Sequence, residues 1–344
     1  MTTTEATPAS GAAPVPGAAF LELRHVVKEF PVTAGSVLQR KVGSVKAVSD
    51  VSFSVRKGET FGLVGESGCG KTTLGRLIVA LDTLDAGQIW FDGSEFSKLH
   101  GRELRHRRRD LQLMFQDPYA SLDPRMRVGT IIREPLAVQR IGSRKEQDAR
   151  VRELLQEVGL SPKAVDLYPH EFSGGQRQRI GFARVLTLNP KLIVADEPVS
   201  ALDVSIRSQI LNLMNTLQER HDLTYIVISH DLSVVKYIAN RIGVMYLGKL
   251  VEVGPSQVLY DHAAHPYTAG LIDAIPIPDP AVERNKGDNT MQGELPSAVN
   301  PPSGCRFRTR CPRVQALCAE AEPPLRSFGP EHLAACHFPL QPAA

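Results

Sequence analysis

The stretch "TFGLVGESGCGKTTLGRLIV" constrains this chain more than any other. A short apolar run leads into Gly65, the pattern G-x-x-x-x-G-K-[ST] runs on to Lys71 and Thr72, and a helical pattern begins there. Glycines let successive backbone N–H groups curl round phosphate oxygens, and the helix behind them turns its positive end to the same place. In that geometry Lys71 reaches the β- and γ-phosphates of a nucleotide, and the Thr72 hydroxyl reaches a Mg²⁺ ion. The candidate nucleotide contacts are therefore Gly65, Glu66, Ser67, Gly68, Cys69, Gly70, Lys71, Thr72 and Thr73.

Two further signals lie far downstream. In "KLIVADEP" four apolar residues run into Asp196 and Glu197 at the expected C-terminal end of a strand. A carboxylate there can hold Mg²⁺, and the next can polarise an attacking water. In "EFSGGQRQRIGFARVL" the residues Ser173, Gly174, Gly175 and Gln176 open a helix, giving a second N-terminus suited to an anion. One nucleotide does not need two such cradles from one subunit.

Around these motifs the chain divides by composition. Residues 1–18 are rich in Ala, Thr, Pro and Gly and read as a disordered lead. Residues 19–260 alternate strand and helix patterns, after antiparallel strands at the start, and predict an α/β sheet fold. The strand signal stops over about 118–189, where "KEQDARVRELLQEVGL" has helical spacing, so a helical subdomain is expected there. Residues 261–344 turn proline-rich and predict an irregular extension. The net charge of +3 gives no general attraction to nucleic acid, and the run "RELRHRRRD" lacks interleaved aromatics, so it reads as a solvated helix face. No stretch approaches the roughly 20 apolar residues of a membrane span, and the start does not read as a secretory signal, which points to the cytosol.

Taken in order, the motifs "GESGCGKT", "FQDP" with Gln116, "FSGGQRQR", "LIVADEP", "SALD" and "VISHD" with His230 resemble those of the ATP-binding subunits of ABC transporters, from Phe20 onward. The resemblance implies a P-loop NTPase fold, a RecA-like core with an antiparallel β subdomain, and a head-to-tail dimer that sandwiches two ATP molecules. Ser173 and Gly175 would then serve the partner's nucleotide. It implies Glu197 as general base or water-orienting carboxylate and His230 as a γ-phosphate contact. Gln116 would sense Mg²⁺ and water, Asp196 would hold Mg²⁺ with Thr72, and Asp203 would cross the dimer interface. Phe30 in "KEFPV" stands where the family carries an adenine-stacking aromatic, and is equally readable as a core residue. Val199 replaces a small hydroxyl residue, which puts one hydrogen bond in question more than activity.

The segments "HPYTAGLIDAIPIPDP" and "GELPSAVNPPSGCRFRTRCP" resemble the C-terminal extension of the dipeptide and oligopeptide importer branch. This implies a second ATPase subunit (identical or a paralogue), two transmembrane permease subunits, an extracytoplasmic substrate-binding protein as an indirect partner, and a place on the cytoplasmic face of the membrane. Relatives with such a tail also carry nickel chelates, glutathione or oligosaccharides. The competing class is a non-transport ABC ATPase acting on nucleic acid, which usually brings two cassettes or a coiled coil. Four of the five cysteines fall in the tail with spacing C-x5-C-x6-C-x17-C: Cys305, Cys311, Cys318 and Cys336. Four thiolates suit zinc or an iron–sulfur cluster, and zinc sites usually have closer pairs. A [4Fe–4S] cluster is favoured, which the resemblance also implies; zinc, free thiols and an adventitious disulfide remain open.

Overall fold

The computed structural model describes residues 19–34, 40–117, 121–276 and 293–341. The disordered lead expected over 1–18 lies outside them.

The chain opens with the antiparallel pair β1 (Leu21–Ala34) and β2 (Arg40–Val55), followed by β3 (Thr60–Val64) and helix α1 (Lys71–Ile78). Then come β4 (Ala86–Phe91), β5 (Ser94–Glu95), α2 (Gly101–Arg107) and β6 (Leu111–Met114). Helices α3 (Val128–Gln139), α4 (Arg144–Glu157) and α5 (Gly174–Leu186) fill the next stretch. The chain returns to the sheet through β7 (Leu192–Asp196), α6 (Val204–His221), β8 (Thr224–Ser229), α7 (Leu232–Ile238), β9 (Arg241–Tyr246) and β10 (Lys249–Pro255). Helices α8 (Ser256–His262) and α9 (Pro266–Asp273), a short turn α10 (Leu317–Glu320), and strands β11 (Leu325–Gly329) and β12 (His332–Ala335) complete it.

Two sheets result. The smaller has the order β2-β1-β4-β5, and the larger β11-β12-β10-β9-β3-β8-β7-β6. In the larger sheet the run from β9 to β6 is parallel. Strands β3, β7 and β8 are buried at every position, as expected for parallel strands covered on both faces, and this explains their richness in apolar residues. The parallel arrangement also brings the strand ends together. Val64 pairs with Ser229, Asp196 with Ile228 and Met114 with Ala195, so the residues that follow β3, β8, β7 and β6 emerge on one edge. In an open α/β sheet this carboxyl edge is where ligands bind.

The helical stretch packs into the same core through Ile131, Ile132, Leu154, Leu155 and Ile180. Helix α4 starts on a capping box in which Ser143 and Glu146 each accept a backbone N–H of the other. The basic α2 buries none of its residues, in line with a solvated face, and its last arginine, Arg107, is tied to Asp110 at 3.1 Å.

The C-terminal extension is irregular for most of its described length, yet it ends by adding β12 and β11 to the main sheet beside β10. Its attachment is polar as well as apolar. Glu252 on β10 is fully buried, accepts the N–H groups of Ala264 and His265 at 2.7 and 3.1 Å, and contacts His332 Nε2 at 2.7 Å. Phe307 sets its ring against Tyr246 and Tyr267 at 5.2 and 5.3 Å, an aromatic cluster that seats the extension on β9.

Candidate functional site

The phosphate loop follows β3 directly. Gly70 has φ +104, and a Cβ there would lie 2.0 Å from the Ala47 carbonyl oxygen, so this turn admits only glycine. The Lys71 ammonium folds back into the loop, donating to the carbonyls of Gly65 and Glu66 at 2.7 and 2.9 Å. Ser67, Gly68 and Thr72 are exposed at the mouth, while Cys69 is buried beneath it and burial pushes its thiol up. Cys69 therefore supports the loop by packing, and its side chain is not at the open surface.

Across the sheet edge, Glu197 is the hub of a side-chain group. Its Oε2 accepts from Gln116 Nε2 at 2.9 Å, and its Oε1 lies 2.8 Å from His230 Nδ1. The three arrive from the ends of β6, β7 and β8, so residues far apart in sequence meet at one carboxylate. Glu197 has φ +49, a left-handed conformation rare for a non-glycine residue, and its N–H is anchored to the Ile228 carbonyl at 2.8 Å. Strain of this kind persists where surrounding contacts over-determine it, commonly at functional sites.

Asp196, immediately before, is buried; burial pushes its carboxyl up, and the neighbouring Thr72 hydroxyl pulls it the other way. Its Oδ1 is buried without a hydrogen-bond partner. An orphaned carboxylate oxygen beside Thr72 fits a Mg²⁺ position, because a cation with its water shell would satisfy it.

The second anion cradle stands apart. Ser173 caps α5: its Oγ accepts the Gln176 N–H at 3.4 Å, and Gln176 Oε1 accepts the Ser173 N–H at 2.9 Å. Gly175 lies so close to α6 that a Cβ would fall 2.4 Å from Ile206 Cγ2. Ser173 and Asp203 are exposed, and among the described residues neither Ser173 nor Gln176 bonds to the Glu197 group. Phe30 is not a core residue. It is 37% exposed on β1, with the Lys28 ammonium 5.4 Å from its ring centroid. Val199 is buried in the core, so apolar packing replaces whatever a hydroxyl would have bonded.

The tail cysteines depart from expectation. All four line one cavity of about 10 Å³ together with His265, Phe307 and Phe338. That volume is close to the least that holds one water. Burial pushes the thiols of Cys305 and Cys336 up to about 11 and about 12. Among the described residues no group of three or more His, Cys, Asp or Glu side chains is placed to hold a metal ion. The expected iron–sulfur or zinc site is thus not supported: the four cysteines converge on one cavity, Cys318 and Cys336 buried and Cys305 and Cys311 half-buried, without a metal-holding arrangement among the described residues.

Comparison with known proteins agrees with the nucleotide geometry. The family model described as "ABC transporter" matches residues 48–200, and "Oligopeptide/dipeptide transporter, C-terminal region" matches residues 251–318. The chain is 52% identical to the oligopeptide transport ATP-binding protein AppF of Bacillus subtilis, covering 93% of this chain and 97% of that one. This chain belongs to the ABC transporter family of ATP-binding subunits. It is also 48% identical to the oligopeptide transport ATP-binding protein OppF of Haemophilus influenzae, over 92% of this chain and 96% of that one. Among solved structures, the dimeric post-hydrolysis ATP-binding cassette MJ0796 bound to ADP and Pi is 28% identical with a TM-score of 0.60, covering 69% of this chain and 98% of that one. The chain is an ABC-type ATPase with a P-loop NTPase fold, and ATP and Mg²⁺ are its cofactors. No helix among the described residues is long and apolar enough to cross a membrane.

One part of the site was hidden in the sequence. Glu66 carries no role in the motif beyond filling an unspecified position, yet its carboxylate and its N–H are both bonded to residues beyond Tyr260. Only the oddity of an acid inside an anion-binding loop hinted at a partner.

Proposed function

We propose that this chain is the ATP-hydrolysing subunit of an oligopeptide importer, peripheral on the cytoplasmic face of the membrane, joined to a second ATPase subunit and two permease subunits. The observation that carries the proposal is the Gln116–Glu197–His230 group beside the phosphate loop, in a chain whose extension resembles the C-terminal region of peptide transporters. We read 19–260 as the cassette, with its helical part at about 118–189, and 261–344 as the importer extension.

In the assembled site, Gly65–Thr73 binds the phosphates, with the Lys71 ammonium released from its loop carbonyls to meet them. Asp196 and Thr72 hold Mg²⁺, which when bound neutralises charge on the phosphates. Glu197 orients and deprotonates water, and Gln116 and His230 hold its two oxygens in place. Phe30 offers its open face to the adenine. Ser173, Gly174, Gly175, Gln176 and Asp203, unused by their own Glu197, act on the partner's nucleotide. This reading is supported by the exposure of Ser173 and Asp203 and by the resemblance to a dimeric cassette.

Co-expression tests it. The tagged chain is expected to co-purify with two polytopic membrane proteins and to hydrolyse ATP faster when a peptide-loaded binding protein is added. Faster turnover with nickel chelates or oligosaccharides in place of peptide would reassign the substrate, and tight salt-sensitive DNA binding without membrane partners would overturn the reading. A [4Fe–4S] cluster in the tail is a narrower proposal, supported by the convergence of four cysteines on one cavity and opposed by the lack, among the described residues, of a group placed to hold a metal. Iron and sulfide analysis after anaerobic purification decides it: about four of each per chain supports the cluster, and neither excludes it.

A further inference from the structure

The C-terminal extension meets the phosphate loop at Glu66, through an ion pair and a hydrogen bond. Arg310 Nη1 and Nη2 donate to Glu66 Oε2 and Oε1 at 2.7 and 2.9 Å, closing a bidentate pair across 244 residues of sequence. The arginine side chain is 7% exposed and the glutamate 26%, so the pair is largely withdrawn from water. Arg310 is fixed in turn: its guanidinium lies 5.9 Å from the Tyr246 ring, and three residues earlier Phe307 packs on that same ring. Tyr267, on α9, accepts the Glu66 N–H at 2.9 Å. Backbone and side chain of this loop residue are thus both held by groups outside the loop.

The charge explains why such a contact matters. Glu66 is an anion within a loop that binds an anion, and its own carbonyl already engages the Lys71 ammonium. Without a counter-ion its carboxylate would repel the incoming phosphates and compete with them for Lys71. A bidentate guanidinium removes that charge and fixes the side chain's direction.

We propose that Arg310 is a positioning residue for ATP binding: by neutralising and orienting Glu66, the C-terminal extension sets the affinity of the phosphate loop for ATP. The proposal rests on the reading of Gly65–Thr72 as the phosphate cradle. It differs from a purely structural tether, which would weaken equally whenever the pair is lost, because here the harm comes from the carboxylate left behind.

The test is ATP affinity and steady-state ATPase on the full chain, with circular dichroism as the check on folding. Arg310→Gln is expected to raise both the Kd and the KM for ATP about tenfold while kcat stays within about twofold. Adding Glu66→Gln should bring Kd back to within about threefold of wild type, and Arg310→Lys should restore most of the affinity. An unchanged Kd in Arg310→Gln would overturn the proposal, as would a double variant binding as weakly as the single one. If Arg310→Gln alone does not fold, the double variant carries the test: Kd within threefold supports the proposal, and tenfold weaker binding overturns it. Lys71→Ala separates the two layers. If it binds ATP normally, the cradle reading falls and takes the proposal with it; if it loses ATP while Arg310→Gln does not, only the role of Arg310 falls.

Discussion

At the scale of single residues, the account turns on Glu197. Two side chains bond its carboxylate, its backbone is held in a left-handed conformation, and it follows a strand whose every position is buried. Replacing it by Gln keeps the shape and removes the proposed base, so Glu197→Gln is expected to bind ATP and hydrolyse it at least about 10²-fold more slowly. Turnover measured beside nucleotide binding checks this, and near-normal turnover would remove Glu197 from the role. Glu197, Asp196 and Lys71 were legible because the chemistry of phosphate and Mg²⁺ restricts the residue types that can stand there. The close approach behind Gly175 was not legible, since it depends on where α6 happens to pass. Gly175→Ala should force Ile206 aside and cost about 1–3 kcal/mol, seen as a lower Tm, with part of the loss restored by Ile206→Ala.

At the scale of elements, buried strands and helices announced themselves by apolar periodicity, and the parallel sheet follows from their alternation. The tail strands did not. β11 has no buried residue and β12 only two, so neither presents an apolar stripe of its own; β12 holds by pairing to β10 and through the buried Glu252–His332 contact, and β11 by pairing to β12. Next to that contact, His265 is completely buried, its Nδ1 accepts the Tyr267 N–H at 3.0 Å, and burial lowers its pKa from 6.5 to about 4. The folded chain therefore keeps this ring neutral where the unfolded chain would protonate it. Stability from this source is complete above about pH 6.5 and is lost as pH falls towards 4, amounting to about 2 kcal/mol at pH 5. His265→Asn, which keeps an acceptor and cannot titrate, should lose correspondingly less stability between pH 7 and 5 in denaturant titrations. An equal loss in both proteins would mean that other groups carry the dependence. The cysteines show the opposite limit of sequence reading: spacing and resemblance suggested ligands, whereas the fold gathers them round one cavity of about 10 Å³ with no metal-holding group among the described residues.

At the scale of the whole molecule, the proposal is that each subunit presents half of two different sites. The phosphate loop and the Glu197 group lie at one sheet edge, and the Ser173 turn and Asp203 are exposed. Two copies, or one copy and a paralogue, would complete each other around ATP. With hydrolysis blocked by Glu197→Gln, ATP should therefore convert the cassette to a dimer in light scattering, and Ser173→Arg should prevent it. The extension is both the segment that resembles peptide transporters and the segment that holds Glu66. The most direct test of the whole is uptake by the reconstituted complex with its binding protein. The account predicts ATP-dependent accumulation of short peptides that stops in the Glu197→Gln variant; peptide uptake that persists in that variant, or a complex that hydrolyses ATP and moves no peptide, would contradict it.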